Sequence, residues 1–323
     1  MYPVETCNNY LVLTPDGVGS TYLQRALTVY LQCADLDYWN THELLNGLGN
    51  KDGSLYKDFN LGYSQTIHEI CELLQSTSNS LVSRIAQYHI YRRLKYKKEN
   101  YQQLYDACNK KFDKIFYCTR DPFEYALSWS IRNNTNVLNV YSIKERISVH
   151  GEDVKQTVDL GYFNRKLEQY SAYEYWAKDN FNITRAVNYD DNHRDVDSMM
   201  KELTGLDHNV ENRFGISLQD YSTVRYMTSM YMQTKDKKYV CNRDQAAGAI
   251  KLKQFIQSLL PKKLPNEIPV KMNTMQDKQK RVINFDDAVE VYNKWTSTTN
   301  SHMPISSEEI TKRIALESKI YAH

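Results

Sequence analysis

Residues 10–22, YLVLTPDGVGSTY, decide the fold class. Tyr10, Leu11, Val12, Leu13 and Thr14 make a short apolar run that ends at Pro15, Asp16 and Gly17, as a buried parallel strand does where it enters a loop. Beyond the loop, Leu23, Ala26, Leu27, Tyr30 and Leu31 fall at i, i+3, i+4, i+7 and i+8, which predicts a helix with one apolar face starting near Ser20. A strand, a tight loop and a helix in succession bring backbone N–H groups and a helix N-terminus to one point, so an oxyanion is expected there. Gly17 and Gly19 permit positive φ and close approach of a ligand, Val18 lies between them, and Ser20 and Thr21 add hydroxyl donors. A Walker A loop needs Lys directly before the Ser, and that position is Gly19, which argues against an ordinary kinase or ATPase. Taken alone, the glycine-rich turn also fits a purely structural role.

The same alternation continues outward. Residues 81–89 (LVSRIAQYH), 114–119 (KIFYCT) and 182–189 (NITRAVNY) read as further strands. After the last of these, Val196, Met199, Met200 and Leu203 stand at helical spacing with Gly205 just past the end. Strands alternating with helices imply an α/β fold, a parallel sheet flanked by helices, with ligands at the carboxyl ends of the strands. Past residue 206 the pattern changes. Pro261, Pro265 and Pro269 punctuate a Lys-rich, linker-like stretch, and helices are expected over 286–295 and after the capping box Ser306-x-x-Glu309. The expected organisation is a core over residues 1–208 and a mainly helical C-terminal region over 209–323.

A second motif stands at residues 117–128, YCTRDPFEYALS. Asp121, Pro122 and Glu124 supply an N-cap, an N1 proline and an N3 acid. Arg120 sits at the strand end, and Ser128 follows eight residues later, about two turns into the helix. Arginine offers a planar fork for a phosphate and a helical Ser a further hydrogen bond. Arg120 by itself fits equally a salt bridge at a helix start.

With both motifs in place, the chain resembles the family of sulfotransferases that use 3′-phosphoadenosine-5′-phosphosulfate (PAPS), as a distant member. Gly19, Ser20, Thr21 and Tyr22 match the GTTW part of that family's first signature; Arg120, Asp121, Pro122 and Ser128 match its R-[ND]-P signature with Ser eight residues after the Arg. Residues 186–191 (AVNYDD) and 173–181 resemble a late strand with its turn and the helix before it, so the likeness spans roughly residues 9–206. It implies a P-loop-like three-layer fold. It also implies that residues 17–22 hold the 5′-phosphosulfate, that Arg120 and Ser128 hold the 3′-phosphate, and that 3′,5′-ADP is the product. His89 aligns with a catalytic His of the cytosolic branch, and imidazole suits a general base near neutrality; a strand-end His held for structure is the alternative.

Two departures stand out. No Lys or Arg lies between Thr14 and Tyr22, where many relatives carry one, and the Gly-rich C-terminal motif of the cytosolic branch is not found. Arg84, Arg92 and Arg93 are candidates for the missing cation, against the alternative of surface charges. The departures leave a noncatalytic 3′-phosphonucleotide-binding or interaction protein, or another phosphoryl transferase, as competing readings.

Forty-one Lys and Arg against 39 Asp and Glu leave no global field to attract nucleic acid, so any anion site is local. The dense run at 92–98, RRLKYKK, fits a solvated helix face or a rim for an anionic ligand. The 26 tyrosines are scattered, as core-edge fillers are. Cys7, Cys33, Cys71, Cys108, Cys118 and Cys241 show no metal spacing, and no apolar stretch reaches the length of a membrane span. A soluble, cytoplasmic protein without metal is expected, acting on a hydroxyl-bearing acceptor selected by residues 133–161 and 221–239.

Overall fold

A computed structural model describes residues 9–15, 17–33, 38–40, 44–45, 66–76, 80–86, 101–135, 155–188, 196–207, 275–299, 304, 306, 308 and 310–312. Two compact units emerge: Met1–Thr119 with Tyr175–Asn266, and Arg120–Glu174 with Glu267–His323.

The first unit is built on a five-stranded parallel sheet in the order β2-β3-β1-β4-β5, from β1 (Tyr10–Thr14), β2 (Tyr38–Asn40), β3 (Ser80–Ala86), β4 (Lys114–Thr119) and β5 (Arg185–Asn188). The α/β class with a parallel sheet flanked by helices is therefore as expected. β1 lies at the centre, Tyr10 opposite Val82 of β3 and opposite Lys114 of β4. All five residues of β1 are buried, so both faces of this strand are covered, which is why its sequence is apolar throughout rather than alternating. The chain turns to β2 and β3 on one side of β1 and to β4 and β5 on the other. Such a reversal of strand order opens a crevice at the carboxyl ends of the strands beside it.

Helix α1 (Ser20–Cys33) buries Leu23, Ala26, Leu27, Tyr30 and Leu31, the face its period marks, and packs on β1, β2 and β3. Helices α2 (Ile67–Ser76) and α3 (Tyr101–Lys111) pack on each other. At the edge opposite the loop, Asn9 ties three strands: its N–H donates to Asp113 Oδ2 at 2.7 Å, its Oδ1 accepts from Leu81 N–H at 2.8 Å, and its carbonyl from Lys114 N–H at 3.0 Å. The last strand starts three residues later than its apolar pattern suggests. A turn with Ile183 N–H donating to Phe181 carbonyl uses the first residues, and Thr184 then bonds Ile115 in both directions. After β5, helix α6 (Val196–Thr204) ends at Gly205, whose φ of 77° closes it and lets its N–H reach Lys201 carbonyl at 2.8 Å.

The second unit comprises α4 (Pro122–Thr135), the Leu160–Glu174 portion of α5 (Leu160–Asn180), α7 (Met275–Arg281) and α8 (Phe285–Thr299). Phe123 is its hub, with Phe163, Phe285 and Tyr292 meeting it edge to face at centroid distances of 5.4 to 5.7 Å. Asn284 staples residue 158 from both sides, accepting from its N–H and donating to its carbonyl. Helix α8 covers the expected 286–295, and helical residues follow Ser306, whose carbonyl accepts from Ile310 N–H. Helix α7 is an addition to the sequence reading. The boundary expected at 208–209 falls among residues 208–274, outside the described ones, as do residues 136–154 of the acceptor region 133–161, the whole of the acceptor region 221–239 and the run 92–98.

Candidate functional site

In the first unit, β1 hands over to α1 through a loop with two left-handed glycines, Gly17 at φ 82° and Gly19 at φ 74°. Between them Val18 is completely buried, so its side chain anchors the loop. Gly19 is the residue whose carbonyl accepts the first helical bond, from Leu23 N–H at 3.1 Å. Helix geometry then leaves the first-turn N–H groups of Ser20, Thr21 and Tyr22 without intrahelical acceptors. Ser20 is buried, and its Oγ lies 3.3 Å from Arg84 Nη1.

Arg84 belongs to β3, directly opposite Val12, and is 7% exposed. The surface-charge alternative is thus overturned for this residue: it sits in a strand buried from Leu81 to Ala86, and its guanidinium is directed to the start of α1. Its charge reaches Cys118 of β4, where burial pushes the thiol up to about 12 while Arg84 pulls it down. A cation beside the positive end of a helix dipole is an arrangement that an anion stabilises from both sides. Arg92, Arg93 and His89 lie outside the described residues, and Thr21 and Tyr22 are described in backbone only.

In the second unit, Arg120 is held by its backbone. Its N–H donates to Tyr170 Oη at 3.2 Å, and the same hydroxyl donates to its carbonyl at 2.8 Å. Asp121 caps α4 as expected, Oδ1 accepting from Glu124 N–H at 2.9 Å. The Arg120 side chain makes the salt bridge that the helix-start alternative foresaw, Nη2 donating to Glu124 Oε2 at 3.0 Å. The same oxygen accepts from Lys278 Nζ at 3.0 Å, and all three groups are buried. Two cations therefore share one carboxylate oxygen.

Ser128 stands one turn beyond Glu124 on the same helical face, four residues on from it as Glu124 is from Arg120. It is 4% exposed, and its Oγ has no hydrogen-bond partner among the described residues. Ser130, two residues later, settles its hydroxyl on the Ala126 carbonyl at 2.9 Å. A buried hydroxyl left unpaired costs about 1–3 kcal/mol, so such a group calls for an explanation.

Lys278 is the residue sequence reasoning missed. Its signal is faint but physical: in MQDKQKRV it occupies the position three after Met275 and four before Val282, both buried, where a helix of this period would otherwise place an apolar side chain. No protein-family model matches the chain, and no curated protein matches it either.

Proposed function

We propose that the chain is a sulfotransferase that moves the sulfuryl group of PAPS to a hydroxyl acceptor. The observation that carries the reading is Ser128, a buried hydroxyl with no hydrogen-bond partner among the described residues, eight residues after a buried Arg120, the spacing at which the resemblance expects a 3′-phosphate to be held. The strand order β2-β3-β1-β4-β5, with a Gly-rich loop after the central strand, supports a P-loop-like three-layer fold. In this reading the N–H groups of residues 17–22 receive the 5′ end of the donor. Arg84 stands in for the absent loop cation and stabilises charge on the leaving phosphate. The acceptor oxygen attacks sulfur, the bond from sulfur to the 5′-phosphate oxygen breaks, and His89 takes the acceptor proton. Buried thiols at Cys71, Cys108 and Cys118, none in a disulfide, suit a reducing, cytoplasmic setting.

The test is nucleotide choice followed by turnover. 3′,5′-ADP should raise the melting temperature and 5′-AMP or ATP should not, since saturation at a hundred times Kd adds about 2.7 kcal/mol. Screening acceptors with sulfur-labelled PAPS then separates an enzyme from a noncatalytic binding protein on the same scaffold, the reading that the cation-free loop favours. A melting temperature indifferent to 3′,5′-ADP sinks both.

A further inference from the structure

We propose that Arg120 and Lys278 form a two-cation site for a phosphate-type dianion, in which the Glu124 carboxylate is the resident anion that the ligand displaces from Arg120 while Lys278 keeps hold of it. The inference rests on reading Arg120 and Ser128 as ligands of a 3′-phosphate, and it adds two residues to that site. Glu124 Oε2 is 3.0 Å from Arg120 Nη2 and 3.0 Å from Lys278 Nζ, so the carboxylate has a second cation to stay with when it leaves the first. Burial of all three groups makes that second partner necessary, because a buried carboxylate released without one is strongly disfavoured.

Exchange is favoured by what the ligand brings. A phosphate monoester carries a charge of about −1.5 to −2 and three acceptor oxygens, against one charge and two oxygens for a carboxylate. Arginine's planar fork pairs with either. Ser128 Oγ, one turn further along the same face and without a partner among the described residues, is a donor that the resident carboxylate leaves unused and the larger anion can satisfy. Tyr170 holds the Arg120 backbone by two hydrogen bonds, so the guanidinium is presented from a fixed base whichever anion it pairs with.

Calorimetric titration of the full chain with 3′,5′-ADP and 5′-AMP tests the proposal. Glu124→Gln removes the competing charge at constant shape, and the variant should bind 3′,5′-ADP about tenfold tighter, the scale of one charge-assisted bond no longer in competition, with 5′-AMP unaffected. Equal or weaker binding of 3′,5′-ADP by this variant means that Glu124 only positions Arg120, and overturns the exchange while leaving the nucleotide reading in place. Lys278→Gln should bind more weakly than the unmodified chain, because the carboxylate then lacks the second cation that would hold it when it leaves Arg120; unchanged binding removes Lys278 from the site. If Glu124→Gln does not fold, Glu124→Asp, which keeps the charge but shortens its reach, should also show tighter binding, and no gain overturns the proposal. If neither nucleotide binds any form, the sulfotransferase reading fails and inorganic phosphate decides this one: a larger thermal shift in Glu124→Gln than in the unmodified chain sustains the exchange, and equal shifts end it.

Discussion

Gly19 shows how much a single residue carries. Its φ of 74° lies in the left-handed region, where a β-branched side chain is a severe outlier, and its carbonyl starts α1. On the proposed reading, in which backbone N–H groups of the loop hold the donor, Gly19→Val should therefore abolish 3′,5′-ADP binding, measured by titration, while Thr21→Ser leaves it nearly intact. Arg120 depends on a different device. Tyr170 Oη serves both its N–H and its carbonyl, and Tyr170→Phe removes both hydrogen bonds at an expected cost of about 1–3 kcal/mol in urea unfolding. Arg120→Ala should erase the preference for 3′,5′-ADP over 5′-AMP; an unchanged preference rejects its assignment to the 3′-phosphate.

At the scale of elements, helix ends are where local chemistry is most visible. Gly205 closes α6 at φ 77° with nothing within 4 Å of where a Cβ would stand, so Gly205→Ala tests backbone strain alone. The expected cost is about 1 kcal/mol, read as a lower urea midpoint with unchanged slope. Helices α1 and α4 both begin where the residues said they would, the first after Gly19 and the second under Asp121 and Pro122. Strand β2 escaped notice because three residues, YWN, are too few to display a period. Helix α7 escaped because six of its seven residues are charged or amide side chains preceded by a Lys-rich, Pro-punctuated stretch, so its buried face is carried by Met275, Lys278 and Arg281 rather than by an apolar stripe.

At the scale of the whole molecule, the chain's return after residue 266 matters most. The second unit draws Phe285 and Tyr292 onto Phe123 and Lys278 onto Glu124. A chain ending at Asn266 should leave Phe123 and Phe163 uncovered, seen as strong binding of a hydrophobic dye and loss of near-ultraviolet dichroism. Alkaline pH gives an independent probe of the first unit. Burial raises the thiols of Cys108 and Cys118, the latter to about 12, so the folded chain keeps protons that the unfolded chain releases above about pH 8.5. Stability from these groups is fully present below that pH and falls as pH rises toward their folded values. Urea midpoints should drop between pH 8 and pH 10, and replacing both cysteines by Ala should flatten the drop.

Periodicity and turn chemistry are local properties, and they were enough by themselves to determine the β1-loop-α1 unit, the β4-Arg120-α4 unit, the parallel α/β class and the glycine positions. Partner choice is not local. That Arg84 is a buried cation at the start of α1 rather than a surface charge depends on β3 lying beside the fully buried β1, a pairing between residues seventy-two apart in the chain. That Lys278 meets the Glu124 oxygen paired with Arg120, from 154 residues away, was likewise decided only in the tertiary structure, because a charge reads alike in a sequence whether water or another buried ion surrounds it.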